Sequence, residues 1–163
     1  MIFDPLRVLR VLTDHGVRFI VIGGQAAVAH GSPSVTNDID ICHDRSAPNL
    51  ERLALALRSL NAFPRDWPQD VPFVLDAATL GNGDSFTFDT DAGPLDCIAT
   101  PAGSRGYEEL AATALDIDLD DLRIRIVDLH SLIEMKLAAG RPKDRIEAEV
   151  LGALRDELDS PND

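Results

Sequence analysis

The stretch that most constrains this chain is 23–41, GGQAAVAHGSPSVTNDIDI, and within it the alternation Asp38, Ile39, Asp40, Ile41. A period of two is that of a strand, so the isoleucines project from one face and both carboxylates from the other. The apolar face belongs in a core. The acidic face carries two like charges side by side, which repel unless a cation or a positively charged partner neutralises them. Mg²⁺ does this well, since it is commonly held by one or two carboxylates while water and phosphate oxygens complete its shell. Ahead of the acidic strand, 17–22 (VRFIVI) reads as a buried strand, and Gly23-Gly24 opens a short helix over 25–30. Glycines at a strand-to-helix turn let the backbone approach a phosphate closely, and a helix N-terminus aims unpaired N–H groups at it. Singly, an Asp-x-Asp is most often a solvated strand face and a Gly-Gly pair a plain turn. The order strand, glycine turn, helix, loop, acidic strand is what gives them weight.

A net charge of −13 (15 Lys and Arg against 28 Asp and Glu) argues against broad binding of RNA or DNA, because phosphate contacts usually leave a basic footprint. It leaves room for a local basic patch, a cationic small molecule or a basic partner protein. At 163 residues the expectation is one domain over 1–158 and a disordered tail at 159–163. No apolar run approaches the ~20 residues of a membrane span, and MIFDPLRVLR lacks the ordered regions of a signal peptide, so a cytoplasmic protein with no membrane partner is expected. Cys42 and Cys97 fall in strands expected to be neighbours. They read as small buried hydrophobes, with a disulfide conceivable. The histidines His15, His30, His43 and His130 share no metal-ligand spacing; His30 alone sits near the glycine and aspartate motif.

Along the chain, Asp4-Pro5 starts a helix with Leu6, Val8, Leu9 and Leu12 on its apolar face and Gly16 beyond its end. After the acidic strand, which is expected to end at 41, a helix over 49–60 carries the stripe Leu50, Leu53, Leu57, Leu60. The segment 61–74 reads as an irregular loop in which Trp67 and Phe73 either anchor it or cover a substrate, and 76–80 as a helical turn. Strands over 85–90 and 94–99 form a hairpin around Asp91-Ala92-Gly93. The second of these strands holds Asp96 amid Leu95, Cys97 and Ile98, a costly place for a carboxylate that is neither paired nor metal-bound. A helix over 106–113, strands over 114–119 and 123–127, and a helix over 128–139 facing the sheet with Leu129, Leu132, Ile133, Met135 and Leu137 follow. Arg123 and Arg125 alternate outward, either to touch substrate or, the reading preferred, on a solvated edge strand. Lys136, Arg141, Lys143 and Arg145 then place four cations within ten positions of an acidic chain, either facing a phosphate site or decorating a helix end. A last helix to 158 turns Leu151, Leu154 and Leu158 inward.

These pieces together resemble the nucleotidyltransferase superfamily, whose signature is a glycine pair, a helix and then an acidic-hydrophobic-acidic strand, met here by Gly23, Gly24, Asp38 and Asp40. The run Lys136 to Asp144, with its Ala-Ala-Gly-Arg-Pro-Lys-Asp, is similar to that of small bacterial nucleotidyltransferase-like proteins related to the AbiEii toxin group. The resemblance implies an α/β (α+β) nucleotidyltransferase fold, a mixed central sheet flanked by helices with C-terminal helices packed on it. It further implies Mg²⁺-dependent transfer of a nucleoside monophosphate from an NTP to an acceptor hydroxyl. Asp38 and Asp40 would then be metal ligands, and Asp96 a third ligand or the base. Gly23, Gly24, Thr36, Lys136, Arg141, Lys143 and Asp144 would hold the nucleotide, with Asp144 or Glu147 completing the site. The acceptor would be a tRNA 3′ end, with an antitoxin partner, or a small antibiotic-like molecule. The chain departs from the pattern at Ser34, where many of these relatives carry arginine, and that departure is what supports a third reading, a non-catalytic nucleotide-binding or interaction module.

Overall fold

The computed structural model of the protein describes residues 2–160. It opens with α1 (Pro5–Asp14), whose cap Asp4 accepts a hydrogen bond from the Arg7 backbone N–H at 3.1 Å and whose first helical residue is proline. Val8, Leu9 and Leu12 are its buried face. Next come β1 (Phe19–Ile22), α2 (Gly23–Ala29), β2 (Ile39–His43), α3 (Ala47–Ser59), β3 (Phe63–Pro64) and α4 (Ala77–Gly81). The chain continues through β4 (Ser85–Thr90), β5 (Gly93–Ile98), α5 (Tyr107–Thr113), β6 (Leu115–Leu119), β7 (Leu122–Ile126), α6 (Leu129–Ala139) and α7 (Pro142–Asp159). All seven strands join one mixed sheet in the order β3-β4-β5-β2-β1-β7-β6.

The centre of that sheet follows from composition. In β1 the run FIVI is buried at every position, as a strand covered on both faces must be. It pairs antiparallel with β2 and parallel with β7, while β2 pairs parallel with β5. Two registers place the chemistry: Asp40 lies opposite Ile22 on one side and opposite Asp96 on the other. The hairpin of β4 and β5 turns at Gly93, whose φ of +114° only glycine adopts readily. Asp128 caps α6 by accepting from the Ser131 N–H, and Gly140 ends it in the left-handed conformation. Around the sheet, α1 packs with α3 and α3 with α4, α2 packs with α6 and α6 with α7, and α5 lies against β1.

Several expectations are corrected. The acidic strand begins at Ile39 and runs on through His43 instead of ending at 41, because Cys42 and His43 are both buried and paired to β1. Within 61–74, Phe63 and Pro64 pair with β4 as the outermost strand, with proline in the edge position it tolerates. The strand carrying Arg123 and Arg125 is covered by β6 and is no edge. Leu137 is exposed because the whole last turn of α6, 137–139, leaves the core. Leu151 is buried and Leu154 half-buried, but Leu158 is 73 % exposed, so α7 runs past the core. Asp159, expected in a disordered tail, is the last residue of α7, and 161–163 lie outside the described residues. Cys42 and Cys97 are both free and buried. Cys97 is in register with Ile41 and Cys42 with Ile98, so the two side chains emerge on opposite faces of the sheet. Among the described residues no helix is long and apolar enough to cross a membrane.

His43 gives the fold a pH signature. Its ring is fully buried, and neither nitrogen has a hydrogen-bond partner among the described residues. Burial first, and then the Arg45 charge, push its pKa down to about 4, against the weaker pull of Asp84 and Asp44. Between about 4 and the unfolded value near 6.5 the unfolded chain therefore binds more protons than the native one. The stabilising effect of keeping His43 neutral is complete above 6.5 and is lost as pH falls towards 4, amounting to about 3 kcal/mol. Urea unfolding at pH 7.5 and 5.0 should show a His43→Leu variant losing less stability than wild type over that interval. Identical losses would contradict a buried neutral imidazole.

Candidate active site

Three carboxylates converge where β1, β2 and β5 lie side by side. One oxygen from each of Asp38, Asp40 and Asp96 lies within 4.8 Å of the others. Asp38 immediately precedes β2, while Asp40 and Asp96 are direct partners across the parallel β2–β5 pair. Burial, followed by the charges of Asp38 and Asp96, pushes the Asp40 carboxyl up to about 7. Burial likewise raises Asp96, against the opposing pull of Arg65. Like charges this close are costly when all are ionised, which is the electrostatic condition a hard divalent cation relieves. The donor set, all carboxylate oxygen, fits Mg²⁺.

The glycine pair is what lets these groups approach. Gly23 has φ +66°, and a Cβ there would run into the Asp40 carboxylate. At Gly24 a Cβ would stand 2.8 Å from Thr36 Oγ1 and 2.9 Å from Thr36 Cβ. Thr36 in turn donates its hydroxyl to Asp38 Oδ1 at 3.0 Å. The two glycines are the first residues of α2 rather than a turn ahead of it.

Facing the carboxylates is the C-terminal basic cluster. A cavity of about 500 Å³ is lined on one side by Gly24, Thr36, Asp38, Asp40, Asp96 and Ile98, and on the other by Lys136, Arg141, Lys143, Asp144 and Glu147, with Ser34 and Val35 at the loop between β2 and α2. Lys136, Arg141 and Lys143 are thus brought together. Arg145, the fourth cation of the run, does not line this cavity. A smaller adjoining cavity of about 200 Å³ shares Asp40, Lys136, Arg141 and Asp144 and extends over Gly23, Leu132 and Met135.

Asp144 and Glu147 serve these neighbours. Asp144 is 1 % exposed and accepts from Arg141 Nε at 2.6 Å and Nη2 at 3.2 Å, with Lys136 Nζ 3.8 Å away. Its carboxyl is held below the ordinary range, chiefly by the Arg141 hydrogen bonds. It also caps α7 by accepting from the Arg141 backbone N–H. Such a group orients cations rather than offering itself to a metal. Glu147 accepts from Ser32 Oγ at 2.9 Å and Ser34 Oγ at 2.7 Å. At Ser34, therefore, a hydroxyl bonded to a carboxylate stands where the resemblance leads one to expect a cation.

Sequence reasoning missed Arg65. From the segment read as irregular loop, its Nη2 donates to Asp96 Oδ1 at 3.3 Å and to the Phe88 carbonyl at 3.0 Å, and its Nε to Asp89 Oδ1 at 3.2 Å. Trp67 and Phe73 of the same segment pack edge to face, 5.3 Å between centroids, and the indole N–H donates to the Val71 carbonyl. They anchor the loop. The His30 ring bonds the Val127 carbonyl at 2.8 Å and so ties α2 to β7.

This mixed seven-stranded sheet flanked by helices is the nucleotidyltransferase fold, and solved structures share it over nearly the whole chain. The lincosamide antibiotic adenylyltransferase LnuA, lincomycin-bound, is 14 % identical over 92 % of this chain and 95 % of its own, with a TM-score of 0.61. The antibiotic-resistance factor ANT(2″)-Ia is 14 % identical over 94 % of this chain and 88 % of its own, with a TM-score of 0.56. TM1012 of Thermotoga maritima, assigned as a nucleotidyltransferase, is 17 % identical over 96 % and 95 %, with a TM-score of 0.58. No family model and no curated protein matches by sequence.

Proposed function

We propose that the protein is a nucleotidyltransferase that moves a nucleoside monophosphate from an NTP to an acceptor hydroxyl with Mg²⁺. The observation that carries this reading is the convergence of Asp38, Asp40 and Asp96 within 4.8 Å, across one cavity from Lys136, Arg141 and Lys143. Asp38 and Asp40 hold the metal, with Thr36 fixing Asp38. When bound, Mg²⁺ neutralises phosphate charge and polarises the phosphoryl group under attack. Asp96 serves as third ligand or accepts the proton of the attacking hydroxyl, and Arg65 holds it in place. Lys136, Arg141 and Lys143 bind the triphosphate, the first two oriented by Asp144, and Gly24 lets the backbone close on it.

For the acceptor, the lining favours a small cationic molecule: Asp38, Asp40, Asp96, Asp144 and Glu147 outnumber the three cations of the same cavity. LnuA and ANT(2″)-Ia, which act on antibiotics, are of the same fold. A tRNA 3′ end, with an antitoxin partner as in the AbiEii-related group, is the competing acceptor.

Calorimetric titration of each NTP with Mg²⁺ should give saturable binding to wild type that is lost in an Asp38→Ala/Asp40→Ala variant. Transfer of α-labelled NTP to polyamine-like and amino-sugar hydroxyl compounds, run beside total tRNA, then identifies the acceptor. Label on tRNA alone would establish the toxin-like branch. Absence of binding to every NTP would leave a nucleotidyltransferase-shaped interaction module.

A further inference from the structure

We propose that an arginine-lined cavity at the opposite end of the sheet is a second binding site, for a small anion bearing a phosphoryl group. The cavity, about 350 Å³, is lined by Thr13, Arg18, Phe19, Tyr107, Arg123 and Arg125 together with aliphatic side chains. It gathers three of the 15 basic residues of a chain with net charge −13. Arg18 immediately precedes β1, and Arg123 and Arg125 share one face of β7. The parallel register sets Ile126 beside Val21, so both β7 arginines lie back towards the start of β1. Asp40 pairs with Ile22 at the other end, three residues or about 10 Å along the strand from Phe19. A ligand here is therefore separate from the catalytic carboxylates, and the inference stands whether or not the proposed transfer reaction does.

The guanidinium groups are fixed without being used up. Arg18 Nη1 donates to Asp44 Oδ2 at 3.0 Å, and its guanidinium carbon lies 5.0 Å from the centroid of the Tyr107 ring. Arg125 Nη2 donates to the Ala111 carbonyl at 2.7 Å, and Arg123 Nε to Asp118 Oδ1 at 3.3 Å. Each guanidinium carries five N–H donors, so these bonds set its orientation and leave others for a ligand. Cross-strand pairing of Asp116 with Arg125 and Asp118 with Arg123 would by itself explain two of the arginines. Arg18 has carboxylates of its own, Asp44 at 3.0 Å and Glu108 at 3.6 Å, but it comes from just ahead of β1 and brings a third guanidinium to the same cavity. Asp118 and Glu108 are 72 % and 80 % exposed as side chains, and pairs of that kind are weak in water. A phosphoryl group, accepting from several guanidiniums at once, competes with them.

The test is a titration of inorganic phosphate, and separately of AMP, into the ¹⁵N-labelled protein with EDTA present and chloride matching the ionic strength. Saturable amide shifts at Arg18, Tyr107 and Arg123 are expected with phosphate, and at least tenfold weaker binding there in an Arg123→Gln/Arg125→Gln variant with a dispersed spectrum. Arg18→Gln should weaken it likewise. Equal affinity for AMP assigns the site to the phosphoryl group alone, and tenfold tighter AMP binding assigns it to a nucleotide. Shifts confined to Lys136, Arg141 and Lys143, or unchanged binding in both arginine variants, would overturn the proposal.

Discussion

An Asp40→Asn variant is expected to lose nucleotidyl transfer by about 10³-fold while melting at a higher temperature than wild type in EDTA at pH 8. On the proposed reading, the activity loss follows from removing one of the charges that would meet the metal and, through it, the phosphates. The stability gain follows first from the burial of this carboxyl and then from its crowding by Asp38 and Asp96. With its carboxyl pushed up to about 7, Asp40 binds a proton more tightly in the native state than in the unfolded one, where its value is near 3.8. The stability linked to that proton is fully present below 3.8 and is lost as pH rises through 7, so at pH 8 the metal-free protein carries a destabilised, ionised Asp40. Asparagine is nearly the same shape and never ionises. Recovery of even 2 kcal/mol is worth about 5 °C in a chain of this size. The gain should shrink as pH is lowered towards 4, and Mg²⁺ should raise the melting temperature of wild type but not of the variant. Differential scanning calorimetry with and without Mg²⁺ measures all of this, and a variant less stable than wild type at pH 8 in EDTA would show that burial and the neighbouring carboxylates do not penalise an ionised Asp40.

The parts of this site that periodicity reveals are the parts that were legible in the sequence. Alternation put Asp38 and Asp40 on one side of a strand, and an aspartate among Leu95, Cys97 and Ile98 marked a second acidic strand; the fold pairs Asp40 with Asp96 directly. The basic run also reached the cavity with three of its four members. What no spacing rule reveals are contacts made by one long side chain from a segment without a period. Arg65 reaches Asp96 only because Phe63 and Pro64 add a two-residue strand to the edge of the sheet, too short to leave a pattern. Asp144 and Glu147 were visible as acids near cations, but their partners are set by how α7 leaves Gly140 and passes the loop holding Ser32 and Ser34. Leu158 failed for a related reason: helical periodicity says which side a leucine faces, not whether the core extends that far.

Gly23→Ala is the substitution expected to do most damage for its size, and it tests what the glycine pair is for. If these glycines served only to let a phosphate approach, the metal-free protein would lose no more than the cost of a left-handed alanine, about 1–2 kcal/mol. The geometry demands more. At φ +66° the new methyl group points into the Asp40 carboxylate, on a strand whose backbone is fixed by pairing to both β1 and β5. The side chain has to swing away, and displacing a reacting group by about 1 Å can cost 10²-fold in rate. Binding of Mg²⁺ without nucleotide should therefore weaken in Gly23→Ala, and transfer should fall at least 10²-fold. Gly24→Ala should act through Thr36 on Asp38 in the same way. The control is Gly152→Ala in α7, where a methyl group meets nothing within 4 Å and helix propensity predicts a gain of about 1 kcal/mol with activity intact. Normal Mg²⁺ binding by Gly23→Ala, with only NTP affinity reduced, would return the glycine to the phosphate-cradling role and leave Asp40 free of its influence.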